Sequence, residues 1–429
     1  MTSDNEQPVN NNTLNQNPAL MNWKKNTALF ITGQAITLFG SMVVQYAILW
    51  HITLETKSGT MMTLFTIAGF LPMFLISPFG GVWADRFNRK LLINISDGVI
   101  AFVSLAIAIL WMMGHTNYGI LLVCAAIRAL GQGVQNPAVG AVIPQIVPVD
   151  QLTKVNGIQT SVQSFCALAA PMVSAALMSF VSFQHIFLLD VVTAAVGMSV
   201  LIFFVKVPSL EKMKNDQKEV GYFHDLLAGM RYIRNHGFVL RLVIFMVIFM
   251  VFLAPLALLT PLQVVRNFGD EVWRLSTMEV FFSAGMIAGG VLIAAWGGFK
   301  NRMFTVAFGC LLTGLTAIAL GITPNFAAYV AIIGISGITV PFTNTPVMVM
   351  LQSTVEQEFM GRVLSVFTMI SSSMMPLAML LFGPVADTVN INTILIVTGI
   401  GIIFMSASLL MSTTLRRVGR SGTAVSVEG

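Results

Sequence analysis

Four charged side chains sit inside stretches that are otherwise apolar: Asp97, Arg128, Asp190 and Glu279. An ionisable group within a membrane-spanning stretch is costly and is by default a functional candidate. A carboxyl among apolar groups favours its neutral form, so it can load and release a proton. A guanidinium stays charged, so Arg128 is expected to be a fixed charge that organises acids or solvent. Glu279, Asp190, Asp97 and Arg128 are therefore the proton-coupling candidates. The competing reading for each acid is a structural hydrogen bond or ion pair. Asp97 has bases close by in sequence, at Arg86, Arg89 and Lys90, with which to pair. Uncharged polar residues in the same kind of run, among them Gln34, Gln45, Gln132, Gln163 and Asn344, are candidates to line a substrate cavity.

Other chemistries find little support. Cys124, Cys166 and Cys310 lie singly in apolar runs. They give neither a disulfide framework nor metal-ligand spacing, so no metal and no cofactor is expected. There is no nucleophile elbow, no His-Glu-x-x-His and no phosphate-cradling loop, so catalysis is not expected.

These residues must be positioned by elements suited to lipid. The 429-residue chain is 56% hydrophobic and only 10% charged, where a soluble domain carries roughly 25% charged residues. A chain so poor in charge cannot cover a water-facing surface. A span takes about 20 apolar residues, and the apolar runs predict twelve, at 25–50, 59–84, 91–113, 118–140, 155–181, 185–206, 238–264, 273–297, 303–321, 325–348, 360–386 and 391–412. The fold class expected is an all-α membrane protein with two six-span halves, 23–206 and 238–412. Polar tails flank them at 1–22, read as a disordered cytoplasmic tail with no signal-peptide character, and at 413–429. The connector, 207–237, holds the densest charge. In it Phe223, Leu226, Leu227, Met230 and Ile233 follow helical spacing, which predicts a short amphipathic helix lying on the membrane surface.

The basic residues orient the chain. Of 23 Lys and Arg, only Lys57, Arg266 and Arg274 fall on one side of this topology, and Arg128 lies within a span. All the others fall on the opposite side, which is therefore the cytoplasmic one and carries both termini. The net charge of +5 reflects loop bases and does not point to nucleic acid. The halves look like a repeat. Val149-Asp150-Gln151 before the fifth span echoes Val355-Glu356-Gln357 before the eleventh, and Pro171 and Pro376 follow at similar distances.

Between the second and third spans, Gly81-Val82-Trp83-Ala84-Asp85-Arg86-Phe87-Asn88-Arg89-Lys90 reads as a short charged loop. Its Gly-x-x-x-Asp-Arg-x-x-Arg-Lys spacing resembles the loop motif of the major facilitator superfamily. The loop at Gly297–Arg302 is a worn counterpart, with Gly298 at the Asp position. The resemblance implies twelve spans in two pseudo-symmetric six-helix bundles. It also implies a conformational latch in which Gly81, Asp85, Arg86, Arg89 and Lys90 face the start of the eleventh span at Gly361-Arg362. A carboxylate is stabilised at such a helix N-terminus. In the fifth span Gly157, Cys166, Ala170, Pro171 and Ser174 resemble the superfamily's antiporter motif, with small residues where glycine is usual. Arg128-Ala129-Leu130-Gly131-Gln132-Gly133 matches the fourth-span motif loosely.

Local runs such as Gly69-Phe70-Leu71-Pro72, Leu189-Asp190-Val191, Met278-Glu279-Val280 and Val340-Pro341-Phe342 look like the macrolide-efflux branch of the drug–proton antiporters. That likeness implies a proton-coupled exporter of amphipathic compounds, with a small-molecule substrate, protons and the lipid bilayer as its partners. A monomer in the cell membrane is expected. Export of an endogenous metabolite or siderophore remains open on the sequence, as do nutrient symport and a membrane sensor.

Overall fold

The computed structural model describes residues 22–207 and 222–411. Residues 1–21 and 413–429 of the expected tails, residue 412 at the end of the twelfth expected span, and 208–221 of the connector lie outside them. Among the described residues twelve helical segments are long and apolar enough to cross a bilayer. In chain order the helices are α1 (Trp23–Thr56), α2 (Gly59–Arg86), α3 (Arg89–Met112), α4 (Tyr118–Ile146), α5 (Leu152–Phe180), α6 (Phe183–Phe204) and the connector helix α7 (Tyr222–Asn235). They continue as α8 (Gly237–Leu258), α9 (Thr260–Phe268), α10 (Val272–Trp296), α11 (Arg302–Ile322), α12 (Phe326–Thr354), α13 (Gln357–Thr388) and α14 (Ile391–Met411).

The helices outrun the apolar stretches. α1, α4 and α12 each continue about six residues past the expected end, because backbone hydrogen bonding does not stop where hydropathy does. Gly81–Lys90 is accordingly not a loop. α2 runs through Arg86 and α3 starts at Arg89, leaving Phe87 and Asn88 as the whole connection. The Asn88 side chain accepts from the backbone N–H of Leu91, and Asn117, Asn301 and Asn325 cap α4, α11 and α12 in the same way. Such caps satisfy amides that the helix itself cannot.

The seventh span is broken into α8 and α9. Pro261 at the start of α9 has no N–H to donate back to the preceding turn. The Leu259 N–H closes α8 onto the Pro255 carbonyl. The Gly297–Arg302 connection also differs from its first-half counterpart. Gly297 and Gly298 take φ of 74° and 80°, left-handed values that only glycine adopts freely. An aspartate at 298 would be strained there, and its Cβ would lie 2.8 Å from the Thr305 hydroxyl.

The chain divides into two compact units that differ from the two sequence halves. The first holds 22–45, Ala68–Ala170 and 181–207. Its core joins Phe30, Ile93, Val142, Ile146 and Leu201, with α3 packed on both α4 and α6. The Asn26 amide closes it by donating to the Lys206 carbonyl at 2.7 Å and accepting from the Lys206 N–H at 2.8 Å.

The second unit holds 222–411 together with Tyr46–Ile67 and Pro171–Phe180. Trp50, Met62 and Ala175 from those two segments are buried in one apolar cluster with Leu259, Leu262, Leu275, Tyr329 and Met379. This shared burial is why three helix ends leave the half in which the sequence places them.

Within the second unit α10 and α12 pack backbone to backbone. A Cβ on Gly285 would strike the Gly334 carbonyl, and one on Gly337 would strike the Phe282 carbonyl. Small residues permit this approach between membrane helices. Gly337→Ala is expected to cost about 1–3 kcal/mol through overpacking, read as a lowered Tm in detergent. Gly290→Ala, which meets open space, is expected to leave Tm unchanged.

The connector helix also departs from expectation. Rather than laying its whole apolar stripe on the membrane, α7 docks on the unit's core. Ile233 is buried in that core and Leu226 packs against it. Gly229 sits against the Arg362 carbonyl, and Tyr232 stacks on Phe359 with centroids 5.0 Å apart. Leu227 and Met230 stay exposed.

Candidate functional site: an unpaired acid and a paired one

The second unit holds a partly open cavity of about 300 Å³. Phe249, Met250 and Leu253 of α8, Phe282 of α10 and Met375 of α13 make its apolar wall. On α12, Ser336, Thr339 and Thr343 present hydroxyls at helical spacing, and Asn344 adds an amide. Those hydroxyls are already engaged. Thr313 bonds Thr339 at 2.7 Å, and Thr339 and Ser336 donate to carbonyls of their own helix at 2.7 and 2.8 Å. Glu279 of α10 is the one acid lining the cavity. Among the described residues it makes no ion pair. The Tyr46 phenol lies within its electrostatic range. An acid in such a setting can be neutralised in two ways, by a proton or by a cationic ligand.

The first unit holds the opposite arrangement. Arg128 on α4 and Asp190 on α6 form an ion pair, each side chain 1% exposed. Ser41 of α1 donates to Asp190 Oδ1 at 2.8 Å, and Ser104 of α3 donates to Oδ2 at 2.6 Å. Arg128 also donates to Ser104 Oγ and, at 3.3 Å, to the Ser41 carbonyl. Four helices thus converge on one carboxylate. This is the ion-pair reading of Asp190 and the organising reading of Arg128. Asp97 is buried nearby on α3 and accepts from the Gln135 amide at 2.7 Å, while its other oxygen has no partner among the described residues. The alternative pairing of Asp97 with the bases at 86–90 is not formed, and two of those bases, Arg89 and Lys90, are engaged elsewhere. Arg89 donates to the Ala84 and Ala141 carbonyls, both at 2.7 Å. Lys90 donates to the Ile202 and Val205 carbonyls, both at 2.9 Å.

The remaining candidates are dispersed. Asp85 is 77% exposed and pairs with Arg89 at 3.3 Å within its own segment. Gly81 and Gly361 face open space, and the Arg362 guanidinium lies 5.6 Å from the Phe359 ring centre. On α5, Cys166, Ala170 and Ser174 are buried and Gly157 is exposed, with Pro171 inside the helix. Gln34, Gln45 and Gln132 are half-buried and Gln163 is exposed. Of the five polar cavity candidates, Asn344 lines the Glu279 cavity.

Two sets of residues escaped the sequence reading. The hydroxyl face of α12 was legible in the 3-and-4 spacing of Ser336, Thr339 and Thr343. The second set joins Lys57–Thr60, Arg266 and Asp387. Nothing in one chain's sequence aligns those three stretches.

Long apolar helices carrying buried, selectively paired charges define a multi-pass membrane protein. The Major Facilitator Superfamily model matches residues 30–379, and the chain belongs to that superfamily. It is 27% identical over 399 residues to macrolide efflux protein A of Streptococcus pyogenes, covering 92% of this chain and 98% of that protein. The macrolide efflux protein A of Enterococcus faecalis is 28% identical over 316 residues, 73% of this chain and 97% of that one. Among solved structures, a bacterial homologue of the human lysosomal transporter Spinster superposes with a TM-score of 0.63 at 13% identity, covering 94% of this chain and 96% of that one. At that identity the likeness bears on the fold.

Proposed function

We propose that this chain is a proton-coupled exporter of amphipathic, drug-like compounds, working by alternating access in the cell membrane. The observation that carries the reading is the contrast between the two centres. Asp190 is neutralised by Arg128, whereas Glu279 faces an apolar cavity without a counter-charge. Glu279 is thus the group on which proton and substrate compete, and a ligand with an apolar body and a cationic group suits its walls. The nearly full-length likeness to two macrolide efflux proteins supports macrolide-type antibiotics as the compounds to test first. Asp97, with one free oxygen, is the second candidate for a proton.

The distribution of bases supports a cytoplasmic location for both termini. In this reading Asp85 and Arg86 act with Gly361 and Arg362 as a cytoplasmic latch, as the superfamily's loop motif implies. The small residues and Pro171 of α5 let that helix pack closely and bend. The transporter acts as a monomer.

The test is uptake of a labelled macrolide into energised inside-out vesicles that carry the protein. Uptake is expected to rise with the proton gradient and to collapse when a protonophore is added. Uptake that survives the protonophore rules out proton coupling.

A further inference from the structure

The hydroxyls of α11 and α12 offer hydrogen bonds to the Glu279 cavity in one direction. A hydroxyl has one hydrogen to give and two lone pairs with which to accept. Here the hydrogens are already committed. Ser336 Oγ donates to the Ile333 carbonyl at 2.8 Å, Thr339 Oγ1 to the Ser336 carbonyl at 2.7 Å and Thr343 Oγ1 to the Thr339 carbonyl at 3.4 Å. Thr313 of α11 has two acceptors in reach, the Gly309 carbonyl at 2.9 Å and Thr339 Oγ1 at 2.7 Å. Serine and threonine inside a helix bond back to its carbonyls in this way. All four side chains are buried, so turning a hydrogen toward a ligand gives up a bond already made. What these groups offer the cavity at no such cost is lone pairs.

The rest of the lining has the same sense. Glu279 is its charged member, and a carboxylate likewise only accepts. No Lys, Arg or His lines the cavity among the described residues, and the Thr260 hydroxyl and the exposed Asn344 amide remain as donors. The acceptors also stand in a file. α10 and α12 run in the same direction, with Phe281 against Gly334 and Gly289 against Ile338. Glu279, two residues before Phe281, is therefore level with Ile332. Ser336 then lies about 6 Å beyond it along the helix axis and Thr339 about 10 Å, at 1.5 Å per residue. A ligand that sets a cation on Glu279 lays its body along apolar side chains and meets these two hydroxyls on the way.

We infer that Ser336 and Thr339 are specificity-determining residues, which take a cationic amphiphile bearing a hydroxyl or N–H roughly 6–10 Å along its body from the charge and disfavour the same compound with that donor capped. A capped oxygen sets lone pairs against lone pairs, and a site built to bond a hydroxyl rejects the analogue that lacks its hydrogen. The inference rests on substrate meeting Glu279 in this cavity, but its test needs binding and not transport. The probes are 6-hydroxy-2-naphthylethylammonium, its methyl ether and its deoxy form, each titrated into the purified protein at pH 7 and followed by naphthyl fluorescence. All three carry the same charge there, an alkylammonium having a pKa near 10 like that of lysine. The hydroxy probe is expected to bind about five- to tenfold more tightly than either of the others, the worth of one hydrogen bond. The deoxy form is smaller than the ether, so weak binding by both excludes bulk as the cause.

Ser336→Ala/Thr339→Val is expected to erase that preference while leaving the affinity for the ether and deoxy probes within about twofold. The substitutions strand no partner, since Thr313 keeps the Gly309 carbonyl. If the double variant does not accumulate, Ser336→Ala and Thr339→Val singly decide, and one of them must lose the preference. Equal binding of the three probes to the parent overturns the inference. So does a double variant that loses affinity for all three alike, which reports a change of cavity shape. Binding of none of them removes the cavity as a cation site, and with it the reading on which the inference rests. Macrolide uptake that survives a protonophore refutes proton coupling without altering the order of the probes, so the two failures are distinct.

Discussion

Glu279→Gln is expected to abolish concentrative export while leaving exchange of substrate across the membrane measurable at higher substrate concentration. The amide keeps the shape of the side chain and loses the charge that a proton or a cationic group would neutralise. Binding, weakened by the lost counter-charge, and the conformational cycle can continue, but no proton is carried with them. A proton exchanged for a ligand of one positive charge moves no net charge, so the drive is the pH difference. Each pH unit is worth about 1.36 kcal/mol, or roughly tenfold in accumulation. The variant should therefore equilibrate a labelled substrate and stop, where the parent drives it about tenfold uphill per pH unit. Counterflow in liposomes measures the exchange, and uptake under an imposed pH gradient measures the drive. Full uphill transport by Glu279→Gln would remove the residue from the mechanism, and Asp97 would be examined next.

The second large effect is on stability. Asp190→Leu alone leaves the Arg128 guanidinium buried without its counter-ion, and Arg128→Met alone strands the carboxylate. Breaking a buried pair in this way costs about 3–5 kcal/mol, whereas replacing both partners with apolar residues of similar volume is often close to neutral. Each single variant is therefore expected to lose most of its membrane abundance and to melt well below the parent in detergent. Arg128→Met/Asp190→Leu should recover much of both. Ser41 and Ser104 also bond Asp190, so recovery will be incomplete: the double variant frees two hydroxyls that must turn to backbone carbonyls. A double variant as unstable as either single one would show that the centre's worth lies in its hydrogen bonds and not in charge balance.

Much of this molecule is legible in one dimension. Lipid imposes a local requirement: each crossing needs enough consecutive apolar residues, and the bases collect on one side. Both are properties of short windows of sequence. The number of spans, their approximate ends and the four isolated charges can therefore be read directly. The misreadings come where a window fails. Asp85 and Arg86 are charged and read as loop, yet they continue α2, because helix propagation depends on backbone bonding and not on hydropathy. The stripe of α7 reads as a membrane-binding face, yet Ile233 and Gly229 dock on protein, since an apolar stripe does not specify what covers it.

Three identical-looking acids then separate only in space. Asp190 meets Arg128, Asp97 meets Gln135, and Glu279 opens on a cavity. The polar cluster of the Lys57 turn, Arg266 and Asp387 joins positions as far as 328 residues apart. Local composition is enough to say that these residues stand in or beside a bilayer. Which of them are neutralised depends on what other helices bring within about 3 Å, and the energy of a charge in a low-dielectric setting is set almost wholly by those neighbours.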